Sequence, residues 1–446
     1  MRESSRIRRT EMPAESGRIE DRPGRDAHEP RGPLSFPAYR RIFIARVISS
    51  AGSYMQIVGA TWLVYQLSHS ATAVGLLAAL ALGPALIGSP IGGALADRFD
   101  TRRLAIVLSL CQAVPIAVMA GLAFADVLTV PWIYVCVLVG AIPFSLNQPV
   151  LALIVPATVP PRFRHLAVSR TSLAYNMTRL VGAVIGGAVV AAIGAGAAFA
   201  INAASYVVVA IVLGLTQLPG DTGSRRRHSV GVRRGLSRGW HFPTVQVVAV
   251  SAAVFFTLAA PLEQLMPGVA RKHSDSALAV GVLLGAMGVG ALLANPFLSR
   301  RLHDAGTSSR ALATGLTVTA VGLFALAMSP GHIAVDIGAL MVIGAGWEFV
   351  FVSGQSTLAI DIPDDIKGRM IGLFFVLVTA TTAVGALVVG YLFDTIGLQA
   401  SLLLDTVVVA IGAAYVGIRV RKRDLWDTRS GQRGQGSPPE GVARLE

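Results

Sequence analysis

Charged residues are scarce in this chain. Of its 446 residues, 14% are charged and 53% are hydrophobic, whereas a soluble protein averages about 25% charged residues. The apolar residues form runs of about 20 or more, which is the length that crosses a hydrocarbon core. Such runs must be helices, because helices satisfy their own backbone hydrogen bonds where water is absent. The composition therefore excludes a soluble globular protein and predicts an all-α integral membrane protein.

Motifs for enzyme chemistry and for metal binding are also missing. The two cysteines, Cys111 and Cys136, lie inside apolar runs, and the eight histidines are scattered without the spacing of a ligand set. No Walker A loop is present, which argues against an ATP-driven pump, and neither G-x-S-x-G nor H-E-x-x-H occurs. The sequence therefore predicts neither an enzyme nor a protein with a metal or cofactor.

The long apolar runs predict twelve membrane helices with polar segments around them. Residues 1–36 lack the apolar core of a signal peptide and are expected to form a disordered cytoplasmic tail. We expect bundles of six helices at 37–217 and 242–421, a cytoplasmic linker at 218–241 and a cytoplasmic tail at 422–446. The predicted helices span 42–67, 71–96, 104–125, 132–155, 166–193, 198–216, 244–269, 278–298, 310–328, 333–358, 370–396 and 399–420.

The net charge of +13 is distributed unevenly among the connections. Positive residues concentrate in one alternating set of connections, whereas in the opposite set only the connection at Arg271 and Lys272 is positive. The excess of positive charge on the cytoplasmic side of membrane proteins then places both termini in the cytoplasm. This explanation accounts for the charge without nucleic acid. The positive set contains Asp97–Arg103, Arg162, Arg164, the 218–241 linker, Arg300, Arg301, Lys367 and Arg369.

An internal repeat relates the two halves of the chain. The stretch Val181-Gly182-Ala183 recurs as Val384-Gly385-Ala386, and at the same offset of 203 positions Asn202 corresponds to Asp405. Duplicated bundles of this kind hold a binding site between the halves near the bilayer midplane and expose it alternately by rocking.

A charged motif joins the second and third predicted helices. Its acidic residue and arginines resemble the G-x-L-x-D-R-x-G-R-R motif of the major facilitator superfamily, although Asp100 replaces the second glycine. Trp62-Leu63-Val64-Tyr65 and Lys367-Gly368-Arg369-Met370 further resemble the subgroup of drug and siderophore exporters. This resemblance implies a twelve-helix transporter that exports its substrate. The matching residues are Gly93, Leu95, Asp97, Arg98, Arg102 and Arg103.

Asp97 is the candidate gate within this motif. Its carboxylate could pair with an arginine or cap a helix N-terminus in only one of two conformations, and so bias the rocking equilibrium. The alternative is a tight turn that merely follows the charge rule.

The fifth predicted helix resembles the glycine motif of proton antiporters in the same superfamily. Gly182, Gly186 and Gly187 are retained, but Thr178 and Ala183 replace the first glycine and the proline. These glycines allow a neighbouring helix to approach closely, either for antiport or as simple small-residue packing.

Carboxylates inside the spans are the candidates for proton or substrate binding, since charges there usually face a cavity or a partner. Glu348 is the deepest; it could recognise a proton or cation, or form a structural pair with an arginine. Glu263 lies between Pro261 and Pro267, which predict a broken helix; it could also be a surface carboxylate. Asp336 is expected to contact water.

Arginines inside the spans are the candidates for binding anionic groups. Arg46 could reach the cytoplasm along its own helix or contact a substrate. Arg179 and Asn176 share a helix face and could line a cavity, or pack structurally.

These observations predict a secondary transporter of the inner cell membrane. It would export small amphipathic organic molecules, of drug or siderophore type, by proton antiport with alternating access. The expected partners are this substrate, protons and membrane lipid, and the expected state is a monomer. The alternatives are a proton-coupled importer of a small metabolite, or a non-transporting sensor or assembly protein on the same fold.

Overall fold

The computed structural model describes residues 32–217, 242–299, 305–362 and 364–434. Within these ranges every regular element is helical, and twelve helices are long and apolar enough to cross a membrane. They match the twelve predicted helices one for one. The spans are α1 Pro37–Ser68, α2 Ala71–Ala96, α3 Thr101–Phe124, α4 Val130–Ala157, α5 Pro161–Ile193, α6 Ala195–Leu215, α7 Pro243–Glu263, α8 Ala277–Leu298, α9 Ser308–Ala327, α10 Ile333–Asp361, α11 Ile366–Thr395 and α12 Leu398–Lys422.

Two of the spans are interrupted where the sequence weakens a helix. The second span divides into Ala71–Leu82 and Ala85–Ala96 around Gly83 and Pro84, because proline removes a backbone donor and clashes with the preceding turn. The seventh span ends in the 3₁₀ turn Ala260–Glu263. The short helix Met266–Ala270 follows that turn, which confirms the break predicted from Pro261 and Pro267.

The segments between and beyond the spans are described in part. The N-terminal tail up to residue 31, the linker at 218–241, Arg300 and Arg301 lie outside the described residues. The helix that contains α12 continues as far as Gly434 and so enters the segment predicted as a C-terminal tail.

The twelve consecutive crossings give the bundle two ends. We call the end at which α1 begins and α12 finishes the terminal end. The opposite end, which holds the short connections after α1, α3, α5, α7, α9 and α11, is called the distal end. The orientation predicted from the charge distribution places the terminal end in the cytoplasm.

Helix packing joins the two halves of the chain along two seams. Within the first half α1 packs against α5 and α6, and within the second half α9 packs against α10 and α12. Between the halves, α2 packs against α11 and α5 packs against α8. These two helix pairs, α2 with α11 and α5 with α8, form the most extensive contacts between the halves.

Glycines make these two seams tight toward the distal end. A Cβ added at Gly187 in α5 would lie 2.6 Å from the carbonyl oxygen of Ala277 in α8. A Cβ at Gly75 in α2 would overlap the carbonyl oxygen of Ala386 in α11. Gly368, in the terminal part of α11, has no neighbour within 4 Å of such an atom in the described chain. The closest backbone approaches between the halves therefore lie in their distal parts.

Candidate functional site

An ion pair connects the two halves at the level of the cavity. Arg179 in α5 places Nη2 2.7 Å from Oε2 of Glu263, at the end of α7. The two side chains are only 21% and 14% exposed. Removing either partner would leave an uncompensated charge in a poorly solvated place, which is costly. The sequence predicted each residue as a candidate but did not predict that they pair.

An aromatic wall supports the arginine. The guanidinium carbon of Arg179 lies 4.3 Å from the ring centre of Trp347 in α10, a cation–π contact. Trp347 in turn meets Phe255 and Phe256 of α7 edge to face, with ring centres 5.6 Å and 5.2 Å apart. Arg179 therefore contacts two different helices of the second half, and its position depends on how the halves are arranged.

A small cavity lies beside the ion pair. On its other side the hydroxyl of Tyr54 donates to the hydroxyl of Tyr175 at 3.3 Å. The cavity thus combines one cation, one anion, one phenol group and aliphatic side chains. It is lined by Tyr54, Ile57, Val58, Arg179, Ala183, Glu263, Leu284 and Met287.

Glu348 is buried in α10 and is hydrogen-bonded inside the second half. It is 9% exposed, and its Oε1 accepts a hydrogen bond from Nδ2 of Asn295 in α8 at 2.5 Å. The arginine that could have paired with it is bound to Glu263 instead. Glu348 therefore forms a polar contact inside the second half. Its neighbour in the sequence, Trp347, belongs to the aromatic wall.

Two other predicted residues do not line the cavity. Nη1 of Arg46 donates to the carbonyl oxygen of Leu151 in α4 at 3.4 Å. Asn176 is exposed and has no hydrogen bond among the described residues. The structure thus pairs Arg179 with Glu263 from the predicted set and leaves Arg46 and Asn176 outside the cavity lining. Glu348 interacts electrostatically with Arg179 without a direct ion pair.

The gating motif lies at the terminal end of α2. Asp97 is exposed, and in the described part of the chain its carboxylate has no partner. Asp100, the departure from the family motif, accepts a hydrogen bond from the backbone N–H of Arg103 at 2.7 Å and so caps α3. No described residue lies within 4 Å of a Cβ added at Gly93. Leu95 is half-buried, and the side chains of Arg98 and Arg103 are exposed.

Arg102 performs a structural role within the first half. Its Nε donates to the carbonyl oxygen of Leu213 at 2.7 Å, and its Nη2 donates to that of Gly214. These carbonyls belong to the last turn of α6, where backbone acceptors have no helical partner. Arg102 therefore ties the beginning of α3 to the end of α6.

The predicted packing glycines contact two helices. A Cβ at Gly182 would lie 2.9 Å from the carbonyl oxygen of Ala51, and one at Gly186 would lie 2.7 Å from Cα of Met55, both in α1. Gly187 faces α8 instead. One glycine cluster therefore serves packing inside the first half and packing between the halves.

Asp394 is a contact between the halves that the sequence reasoning missed. From the distal end of α11 it accepts four hydrogen bonds: from the Ser70 hydroxyl at 2.6 Å, the Ala71 N–H at 2.8 Å, the Thr72 N–H at 2.9 Å and the Thr72 hydroxyl at 2.6 Å. The carboxylate thus caps the N-terminus of α2. The serine and threonine in that first turn are a signal that could have indicated a capping partner.

Asp336 corrects one expectation. Its side chain is fully buried rather than in contact with water, and Oδ2 lies 2.6 Å from Nε2 of His273. The prediction failed because the connection after α7 folds over the start of α10 and covers it.

Comparison with known proteins identifies the family of this chain. The chain matches the profile of the transmembrane secretion effector family over residues 29–440. It is 24% identical over 416 residues to the multidrug efflux pump Tap of Mycolicibacterium fortuitum, covering 89% of this chain and 98% of that one. It is 25% identical over 362 residues to the enterobactin exporter EntS of Salmonella choleraesuis (strain SC-B67), covering 79% and 85% respectively.

Solved structures share the fold at lower identity. A bacterial homologue of the human lysosomal transporter Spinster, inward-facing and unoccupied, aligns with a TM-score of 0.70 at 15% identity, covering 88% of this chain and 98% of that one. The nucleoside transporter NupG aligns with a TM-score of 0.62 at 12% identity, covering 86% and 98%. The chain belongs to the transmembrane secretion effector family of the major facilitator superfamily, and it is a multi-pass inner-membrane transporter rather than an enzyme.

Proposed function

We propose that this transporter exports small amphipathic organic molecules, of drug or siderophore type, in exchange for protons. The observation that carries the proposal is the contact of Arg179 with Glu263 and Trp347 across the two halves. It supplies charge and aromatic surface at the place where a rocking transporter holds its substrate. The relatives named as a multidrug efflux pump and an enterobactin exporter support export as the direction.

The substrate acts on this contact by competition. An anionic group that binds Arg179 displaces Glu263, and an aromatic or apolar body packs on Trp347 and Tyr54. Either event weakens a bond between the halves and so biases them toward another arrangement. After the substrate has left at the distal end, Glu263 would take up a proton from that side, and it would release the proton at the terminal end when it pairs with Arg179 again. Proton influx would thereby be coupled to substrate efflux.

The same reasoning separates two candidate proton carriers. Glu263 lies in the cavity and contacts the other half, whereas Glu348 is bonded to Asn295 within its own half. Glu263 is therefore suited to competition with substrate, and Glu348 to a proton that accompanies the rearrangement of the second half.

A reconstituted system tests the proposal. Purified protein in liposomes is given a panel of amphipathic dyes, lipophilic cations and catecholates, with a pH-sensitive dye inside. Antiport predicts that each transported compound moves protons in the opposite direction, and that a protonophore abolishes uphill accumulation. Movement of protons and compound in the same direction would support the importer instead.

Matched variants connect this activity to the site. Arg179→Gln removes the ion pair and the cation–π contact, whereas Arg164→Gln removes an exposed arginine at the start of the same helix. We expect the first to reduce transport at least about tenfold, the factor that corresponds to about 1.4 kcal/mol, and the second to leave it unchanged. Equal transport by both variants would remove the cavity from the mechanism.

A further inference from the structure

Another buried carboxylate outside the cavity has no hydrogen-bond partner in the described part of the chain. Asp405 in α12 is 1% exposed, and neither of its carboxyl oxygens has a hydrogen-bond partner within the described ranges. The hydroxyl of Ser401, four residues earlier and therefore on the same helix face, is fully buried and equally without a partner in those ranges. Asp405 and Ser401 thus place three oxygen atoms on one helix face, and none of them is hydrogen-bonded within the described ranges.

Among the described residues, no opposite charge faces this carboxylate. The helix α12 packs against α7, α9 and α11. The titratable residues of α7 and of α9 are Glu263, which is bound to Arg179, and Arg310, in the first turn at the terminal end.

The titratable side chains of α11 and α12 either lie far from Asp405 or are bound to other groups. In α11, Asp394 caps α2, Tyr391 is exposed, and Lys367 and Arg369 lie at the terminal end. Within α12 the next titratable side chain is Tyr415, and the first cation, Arg419, lies about 21 Å along the helix. The following cations, Arg421 and Lys422, are farther still.

An isolated carboxylate in such surroundings is strongly disfavoured. Burying an ionised group without a partner costs several kcal/mol, and a carboxyl group avoids this cost by staying neutral. The first half of the molecule contains a neutral group at the corresponding position. Asn202 donates from Nδ2 to Oε1 of Gln56 at 2.5 Å, and its Oδ1 accepts from the hydroxyl of Ser205 at 3.1 Å.

We propose that Asp405 is a proton-binding site of the second half and carries its proton in the conformation described here. The role of this proton in transport rests on the proposed function, whereas the presence of the proton at Asp405 does not depend on it. Because α12 packs within its own half, Asp405 lies away from the substrate cavity, and its proton does not compete with the substrate for the same side chain. It instead stabilises the packing of α12 on α7 and α9, which must adjust when α7 releases Arg179.

Infrared spectroscopy of the full chain in lipid tests the inference without any substrate. At neutral pH the spectrum of the wild type minus that of Asp405→Asn should contain the carbonyl stretch of a protonated carboxylic acid. Asp394→Asn is the matched control, because Asp394 accepts four hydrogen bonds, and it should remove a carboxylate band instead. Loss of a carboxylate band in Asp405→Asn would overturn the proposal.

Two further arms keep the test decisive. Asp405→Leu is measured in parallel, because a neutral carboxylic acid can also be replaced by an apolar residue. Each variant that folds should lack the same carbonyl band. Sodium chloride is compared with choline chloride: a sodium-dependent carboxylate shift in the wild type that Asp405→Asn lacks would identify a sodium site and overturn proton binding. Absence of transport in liposomes, with the carbonyl band present, would refute only the proposed function.

Discussion

At the scale of single residues, the neighbours of Glu348 allow its proton to be tested separately from its hydrogen bond. Glu348→Gln removes the titratable group but keeps an oxygen that accepts from Asn295, whereas Asn295→Ala removes the donor. If Glu348 carries a proton, Glu348→Gln should lower proton-coupled efflux at least about tenfold, a change of about 1.4 kcal/mol. It should retain exchange of labelled for unlabelled substrate at zero proton gradient.

The donor variant provides the comparison for that measurement. Asn295→Ala should keep proton coupling, because the carboxyl group remains, and lose about 1–3 kcal/mol of stability from the unsatisfied buried acceptor. Equal losses of coupling and of exchange in both variants would mean that the contact only holds α8 against α10. Thermal unfolding in detergent, measured beside the transport assays, separates the two effects.

The sequence could not predict which side chains of the site contact one another. Arg179 and Glu263 could be selected because charges inside apolar spans are costly, but they are 84 positions apart. Their pairing depends on how α5 meets α7, which no local pattern encodes. Asp336 illustrates the same limit: its place near a helix end suggested water, yet His273 covers it.

At the scale of helices, Asp394 is expected to hold the distal end closed. Its four hydrogen bonds join α11 of one half to the first turn of α2 of the other. Asp394→Asn loses the charge and half of the acceptor capacity, so the distal contact weakens and the cavity should open to that side. A cysteine introduced at Ile57, which lines the cavity, reports this opening.

The measurement uses a chain with Cys111→Ser and Cys136→Ala, and a membrane-impermeant maleimide outside intact cells. Asp394→Asn should raise the labelling rate of Ile57→Cys by about tenfold, which corresponds to about 1.4 kcal/mol. Thr395→Val is the control, because the Thr395 hydroxyl bonds only within its own helix. Val127→Cys, exposed at the distal end, should react in every background and verifies the orientation. An unchanged labelling rate in Asp394→Asn would contradict the idea that Asp394 holds the distal end closed.

The seam between α5 and α8 gives a second prediction at this scale. Gly187→Ala inserts a methyl group 2.6 Å from the carbonyl oxygen of Ala277 and 2.9 Å from Cα of Gly281, both across the seam. Overpacking of this kind costs about 1–3 kcal/mol and should raise distal labelling of Ile57→Cys. Gly417→Ala, where no described residue lies within 4 Å of the added methyl group, should leave the labelling rate unchanged. Labelling that falls or stays constant in Gly187→Ala would show that the seam can accommodate the methyl group.

Helices were predictable where contacts between helices were not. Apolar length alone located all twelve spans, and Pro261 with Pro267 located the break after α7. The glycines at 182, 186 and 187 indicated close packing, but not that the first two face α1 and the third faces α8. A shift of one residue on a helix turns a side chain by about 100°, so the facing helix follows from the assembled bundle.

At the scale of the whole molecule, the two halves differ in the charges that they retain. The first half places Asp97 at the terminal end of α2, and the second half places Asp394 at the distal end of α11. The helices α2 and α11 pack against one another, so one seam has an acidic residue at each end. Asp394 is engaged in this arrangement and Asp97 is not, which is the pattern expected of two gates that close alternately.

This pattern leads to a prediction that neither residue can test alone. If Asp97 stabilises only the distal-open arrangement, Asp97→Asn should lower the outside labelling of Ile57→Cys. In the otherwise unaltered chain that rate is already low, because Asp394 keeps the distal end closed. In the Asp394→Asn background the rate is high, so there Asp97→Asn should return it toward the starting value.

The two carboxylates lie at opposite ends of α2, which spans about 39 Å. Changes so far apart add to within about 0.3–0.5 kcal/mol when each acts on the same equilibrium independently. The double variant should therefore label at a rate given by the product of the two single effects, while transporting more slowly than the unaltered protein because both end states have lost a stabilising contact. A double variant that labels as fast as Asp394→Asn alone would assign Asp97 to a simple turn, and the terminal end would then close by other contacts.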